Sequence, residues 1–130
     1  MYDPLFNVKD KICIVTGGLG QLGSQYSKAL LERGAKVAIF SRNISNERVN
    51  KVFSQKERDC DNLRFYAVDI TDKKSINNAL DDIENEWGVP DVLINNAGID
   101  TQPSAPPEVS GPFETFPEDV FREVVNVNLV

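Results

Sequence analysis

Apolar residues alternate along this chain between two rhythms. Short runs rich in branched and aromatic side chains occur at Lys11-Ile12-Cys13-Ile14-Val15, Val37-Ala38-Ile39-Phe40, Leu63-Arg64-Phe65-Tyr66-Ala67-Val68 and Asp91-Val92-Leu93-Ile94. Near-continuous runs of this length predict strands buried on both faces. Between them the spacing switches to the helical period. Leu22, Tyr26, Ala29 and Leu30 mark one face from Gly20 to Arg33, and Gly34 closes that segment. Val49, Val52 and Phe53 mark a helix over about residues 45–58. Ile76, Leu80, Ile83 and Trp87 mark another, with Thr71 or Asp72 as its cap and Gly88 with Pro90 at its end. Residues 100–117 hold five of the seven prolines and read as a loop. A last helix starts at Pro117-Glu118-Asp119, with proline in its first turn and two carboxylates at its positive end, and runs towards Val130.

Strands and helices therefore alternate as βαβαβαβα. Parallel strands joined by right-handed crossovers give the spatial order 3-2-1-4. This is the N-terminal half of a Rossmann-type, doubly wound α/β sheet with helices on both faces. The pattern stops in the helix after the fourth strand, so residues 1–130 read as one nucleotide-binding domain, incomplete at its C-terminus.

Composition narrows the function classes. The chain has 130 residues, 41% of them apolar, and a net charge of −6 from 14 basic and 20 acidic side chains. An acidic chain has no electrostatic case for nucleic acid or an anionic membrane as partner. With no histidine, Ser-His-Asp and Cys-His catalysis and His-ligated metals are excluded. Cys13 and Cys60 are too few for a disulfide framework or a cysteine zinc cluster, so no metal site is expected; Cys13 reads as a buried strand thiol. The first residues offer no signal-peptide stretch, and no apolar run approaches the ~20 residues of a membrane helix. A cytoplasmic location is the expectation.

The chemistry concentrates in Thr16-Gly17-Gly18-Leu19-Gly20-Gln21-Leu22-Gly23, which follows a strand and opens a helix. Glycines there let the backbone turn tightly and approach a diphosphate, while the helix aims free N–H groups at it. The glycine turn is not followed by Lys-Ser or Lys-Thr, since Ser24-Gln25 comes after Gly23, which excludes an ATP- or GTP-binding P-loop. A dinucleotide site that takes NAD carries an acid about 20 residues beyond the glycines. Here Ser41 and Arg42 stand at the end of the second strand, 18 and 19 residues past Gly23. A guanidinium there pairs with a 2′-phosphate. NADP(H) is favoured and NAD(H) is possible.

With Asp69-Ile70 after the third strand, Asn95-Asn96-Ala97-Gly98 after the fourth and Val127-Asn128-Leu129 at the end, the whole chain resembles the short-chain dehydrogenase/reductase family. The resemblance implies that Gly17, Gly20 and Gly23 form the diphosphate turn, with the backbone of Gln21 and Leu22 over the phosphates. Asp69 would accept from the adenine amino group and Ile70 flank the ring. Asn95, Ala97 and Gly98 would line the ribose and nicotinamide, and Asn128 would match the catalytic asparagine that orders a proton-relaying water. Asp69 as a helix cap and Asn128 as a solvated helix residue are the competing readings. One departure stands out: Gln21 replaces the middle glycine of the family's main pattern, a spacing similar to the extended, sugar-nucleotide-modifying branch.

The family's chemistry also requires a tyrosine with a lysine four positions later. Tyr2, Tyr26 and Tyr66 are followed at that spacing by Phe6, Leu30 and Ile70. The expectation is the cofactor-binding part of an NAD(P)(H)-dependent oxidoreductase acting on an alcohol or carbonyl substrate, inactive as 130 residues alone. The parent enzyme is expected to be a homodimer or homotetramer. The alternatives are an extended-branch epimerase or dehydratase, and a non-catalytic nucleotide-binding or interaction protein. Residues 100–117, with Phe113 and Phe116, read equally as a substrate wall or a plain surface loop.

Overall fold

Four parallel strands form one sheet in the order β3-β2-β1-β4, where β1 is Ile12–Thr16, β2 Lys36–Ser41, β3 Leu63–Ala67 and β4 Val92–Ile94. The structure is a computed structural model that describes residues 4–99 and 105–129. It contains two compact units, Met1–Ala97 and Gly98–Val130, and each is described by itself.

In the first unit, the helices are α1 (Gln21–Glu32), α2 (Asn46–Val52), α3 (Gln55–Arg58) and α4 (Lys73–Glu86). The register pairs Cys13 with Val37, Ile14 with Ala38 and Val15 with Ile39, so alternate residues of both strands share a face. Cys13, Val15, Val37 and Ile39 meet Leu19, Val49, Phe53 and Leu63 on one side, with Leu30 and Leu31 of α1 packed against them. Ile12, Ile14, Ala38 and Phe40 meet Val68, Ala79 and Ile83 on the other, together with Trp87. Two cores flank one sheet, which is why the central strands carry no polar alternation. Burial pushes the Cys13 thiol up, with a smaller push from the Asp91 charge.

The single helix expected over residues 45–58 is two. The chain leaves α2 at Phe53 in extended conformation and buries that ring, 5.6 Å edge-on to Phe65. Ser54 then restarts it as α3 through a capping box: its hydroxyl accepts from the Glu57 N–H, and its own N–H donates to the Glu57 carboxylate. Of the two cap candidates for α4, Asp72 takes the role and accepts from the Lys74 N–H at 3.0 Å.

The second unit contains α5 (Pro107–Ser110), a 3₁₀ turn at Phe113–Thr115 and α6 (Glu118–Asn128). The loop expected over residues 100–117 thus includes two short helical turns. Residues 100–104 and the side chain of Phe113, part of the expected substrate wall, lie outside the described residues, as does Val130.

Candidate functional site

The turn after β1 is shaped by three glycines that the fold itself requires. Gly17 has φ +65°, and its N–H donates to the Phe40 carbonyl at 2.8 Å. A Cβ on Gly18 would lie 2.7 Å from the Ile39 side chain, and one on Gly23 only 2.1 Å from the Gly17 carbonyl oxygen. Gly20 differs. Its backbone is ordinary (φ −79°), and a Cβ there would meet only the Gly17 oxygen, at 3.3 Å.

Gly20 is the N-cap of α1 and supplies no side-chain cap, whereas Ser45, Ser54 and Asp72 cap α2, α3 and α4. Among the described residues, nothing accepts from the N–H groups of Gln21, Leu22 and Gly23. Unpaired donors at a helix start, with no Cβ before them, suit an approaching phosphate. Gln21 and Leu22 are exposed just behind, Leu22 at 60%, and Gln21 enters the helix without needing a glycine's freedom.

At the end of β4, the sequence reading missed two residues that position the others. The buried Thr16 hydroxyl donates to the Ile94 carbonyl at 3.4 Å and accepts from the N–H groups of Asn96 and Ala97 at 3.1 and 3.0 Å. The Asn96 amide donates to the carbonyls of Thr16 and Gly17, both at 3.2 Å. These bonds tie the glycine turn to the Asn-Asn-Ala-Gly segment across some 80 residues of sequence. The signal was a hydroxyl at the strand end and a second Asn in the motif. Asn95 is exposed, and among the described residues its side chain has no partner, so it remains available to a ligand. Ala97 has its N–H committed to Thr16 and its Cα 3.0 Å from where a Gly17 Cβ would stand.

β2 and β3 end side by side, the Val68 N–H donating to the Ser41 carbonyl at 3.0 Å. The Ser41 hydroxyl turns back to the Asn43 carbonyl at 3.4 Å, and Arg42 is exposed with no hydrogen-bond partner among the described residues. Asp69 does not cap α4. One of its oxygens accepts from the Thr71 hydroxyl (2.6 Å) and the Thr71 N–H (2.9 Å), and its own N–H donates to Ser75. The Thr71 hydroxyl and N–H hold the Asp69 carboxyl below its usual range, with a smaller pull from the Arg42 charge. The other Asp69 oxygen stays ionised and without a described partner, next to a half-buried Ile70.

In the second unit, the Asn128 carboxamide accepts from the Ile99 N–H and donates to the Ile99 carbonyl, each at 2.9 Å. A Cβ on Gly98 would press on the Asn128 oxygen at 3.2 Å, so glycine makes room for this pairing. Asn128 is therefore not a merely solvated helix residue. Its amide keeps one N–H and one lone pair for a further partner.

Among the described residues, no group of His, Cys, Asp or Glu side chains is arranged to hold a metal ion, and no helix is long and apolar enough to cross a membrane.

A parallel 3-2-1-4 sheet with an uncapped glycine turn after its first strand defines a dinucleotide-binding fold. The short chain dehydrogenase profile matches residues 11–130, and the chain belongs to that family, as its N-terminal portion. It is 32% identical over 127 residues to a 2-dehydro-3-deoxy-D-gluconate 5-dehydrogenase of Formosa agariphila, covering 97% of this chain and 44% of that protein. It is 37% identical over 89 residues to a short chain dehydrogenase/reductase of Colletotrichum higginsianum, covering 68% of this chain and 32% of the relative. Among solved structures, a 3-ketoacyl-(acyl-carrier-protein) reductase from Brucella melitensis, complexed with NADH, superposes with TM-score 0.76 at 25% identity, over 94% of this chain and 46% of that one. A short chain dehydrogenase from Leptospira borgpetersenii with bound NAD+ gives 0.75 at 29% identity, over 99% and 44%. The chain spans less than half the length of each of these proteins.

Proposed function

We propose that this chain is the cofactor-binding part of an oxidoreductase that interconverts an alcohol and a carbonyl in a small-molecule substrate, with NADP(H) as its preferred cofactor. The observation that carries the reading is the uncapped start of α1 behind Gly20, which leaves the donors of Gln21, Leu22 and Gly23 to a diphosphate. Asp69 and Ile70 would hold the adenine, and Asn95, Ala97 and Gly98 would line the ribose and nicotinamide side. When bound, the nicotinamide supplies the hydride or receives it. Asn128, its carboxamide fixed on Ile99, would hold a water for the proton relay.

The preference for NADP(H) is supported by Ser41 and Arg42 at the end of β2, where no carboxylate stands to repel a 2′-phosphate. NAD(H) is the second reading, because the two neighbours above were solved with NADH and NAD+. The glycine spacing alone suggests the extended branch, but the family match runs through the Asn-Asn-Ala-Gly and Val-Asn-Leu segments and does not favour it. Since no tyrosine here has a lysine four positions on, these 130 residues alone should turn nothing over. We place the parent enzyme in the cytoplasm as a homodimer or homotetramer.

The test compares NADPH with NADH in calorimetric titrations of the intact protein that carries this chain. Tighter binding of NADPH is expected, and Arg42→Ala should cost NADPH about 10-fold while leaving NADH nearly untouched. Equal loss for both cofactors would make Arg42 a support of the fold.

A further inference from the structure

The loop after β2 carries a second cation that the spacing argument did not single out. Arg48 lies on α2 but folds back five residues, and a terminal guanidinium nitrogen donates to the Asn43 carbonyl at 3.3 Å. The same carbonyl accepts from the Ser41 hydroxyl, and the Arg48 backbone N–H is taken by the Ser45 hydroxyl at 3.3 Å. The first bond holds the guanidinium against Asn43, the residue next to Arg42, and the other two fix the loop and the start of α2 around it.

The local charge balance leaves both arginines available. No acid occurs between residues 41 and 46, and Glu47, the one carboxylate on α2, is paired with Lys51 at 3.0 Å. Asp69 engages Thr71 and feels the Arg42 charge without a hydrogen bond to it. A guanidinium has five N–H donors in a planar fork. Arg48 spends one on Asn43, and among the described residues the other four have no partner.

We propose that Arg48 is a second determinant of cofactor choice, closing with Arg42 on the 2′-phosphate of the adenosine ribose. This rests on the NADP(H) reading and adds to it a residue seven positions beyond Ser41, where a carboxylate counted at the strand end is not sought. The carbonyl of Asn43 acts as the anchor that aims the fork, so the site costs little side-chain freedom when the phosphate arrives.

Adenosine 2′,5′-bisphosphate and adenosine 5′-monophosphate differ only in the 2′-phosphate, and they are the probes. In the intact protein, Arg48→Gln keeps a donor for the Asn43 carbonyl and removes only the charge. It should weaken the bisphosphate about 5- to 20-fold, an exposed charge-assisted contact, and leave the monophosphate within about twofold. Arg48→Lys should recover part of the loss, and Trp87 fluorescence should show an unchanged melt. Loss of both nucleotides alike would mean that Arg48 only props the loop, which overturns the proposal. An unchanged preference in Arg48→Gln with a lost preference in Arg42→Ala overturns it too, and leaves the NADP(H) reading standing. A wild type that does not prefer the bisphosphate overturns both.

Discussion

Asn128 and Ile99 bind each other as two strands would: the side-chain amide of one both accepts from and donates to the backbone of the other, at 2.9 Å each. A carboxamide can do this because it presents an acceptor and a donor side by side, as a peptide does. A carboxylate cannot. Asn128→Asp would keep the bond from the Ile99 N–H and set an oxygen against the Ile99 carbonyl. The expected cost is about 1 kcal/mol, seen as faster hydrogen exchange at Ile99. In the intact enzyme, turnover should fall with it. Unchanged exchange at Ile99 would show that the pairing does not hold the end of α6.

Thr16 offers a sharper contrast. Its buried hydroxyl serves Ile94, Asn96 and Ala97 together. Thr16→Val fills the same space but strands the Ala97 N–H and leaves the Asn96 N–H only its 3.0 Å bond to the Ile94 carbonyl, for an expected loss of about 1–3 kcal/mol in urea unfolding. Thr16→Ser keeps the hydroxyl and should lose less than about 1 kcal/mol. Equal losses would point to packing as the reason for threonine here.

Gly23 and Gly20 should respond with opposite signs. Gly23→Ala drives a methyl into the Gly17 carbonyl and should cost about 3 kcal/mol or more. Gly20→Asp needs the Gly17 oxygen, 3.3 Å from the new Cβ, to shift by a few tenths of an ångström and would cap α1, a net gain of at most about 0.5 kcal/mol. The same carboxylate would occupy the place of a phosphate, so nucleotide affinity should fall by at least about 10-fold. A protein that melts higher and still binds NADPH as before would move the phosphates elsewhere.

Asp69 carries a pH signature. Its carboxyl ionises below the ordinary 3.8 because of the Thr71 hydroxyl first, the Thr71 N–H second and, more weakly, Arg42. A lowered carboxylate value contributes stability that is present above the unfolded value and lost as pH falls through the folded one. The loss from Asp69 is therefore confined to pH below about 3.8. Carboxyl carbon shifts followed by NMR should show Thr71→Val raising the midpoint more than Arg42→Ala does. Asp69→Ala should in turn weaken adenine-nucleotide binding, and Asp69→Asn less so. Full affinity in Asp69→Ala would leave the residue as a turn-former for Thr71 alone.

The sequence by itself determined the sheet. Runs such as Cys13 to Val15 and Val37 to Phe40 are apolar on both faces because both faces are covered, and that requirement is written in the residues themselves. The glycine turn was legible for the same reason, since a φ of +65° at Gly17 and the absent Cβ at Gly23 are properties of single positions. The Ser-x-x-Glu spacing of the capping box stands in the sequence at Ser54 and Glu57, but the apolar spacing of Val49, Val52 and Phe53 masked it and suggested one continuous helix. Only the tertiary structure decided that Phe53 leaves the helix to meet Phe65, that Thr16 serves Ala97 some 80 positions away, and that Arg48 turns back to Asn43. Burial is a sum over area, and its period survives in the order of residues. A hydrogen bond depends on an ångström and an angle, and those exist only once the strands have brought their ends together.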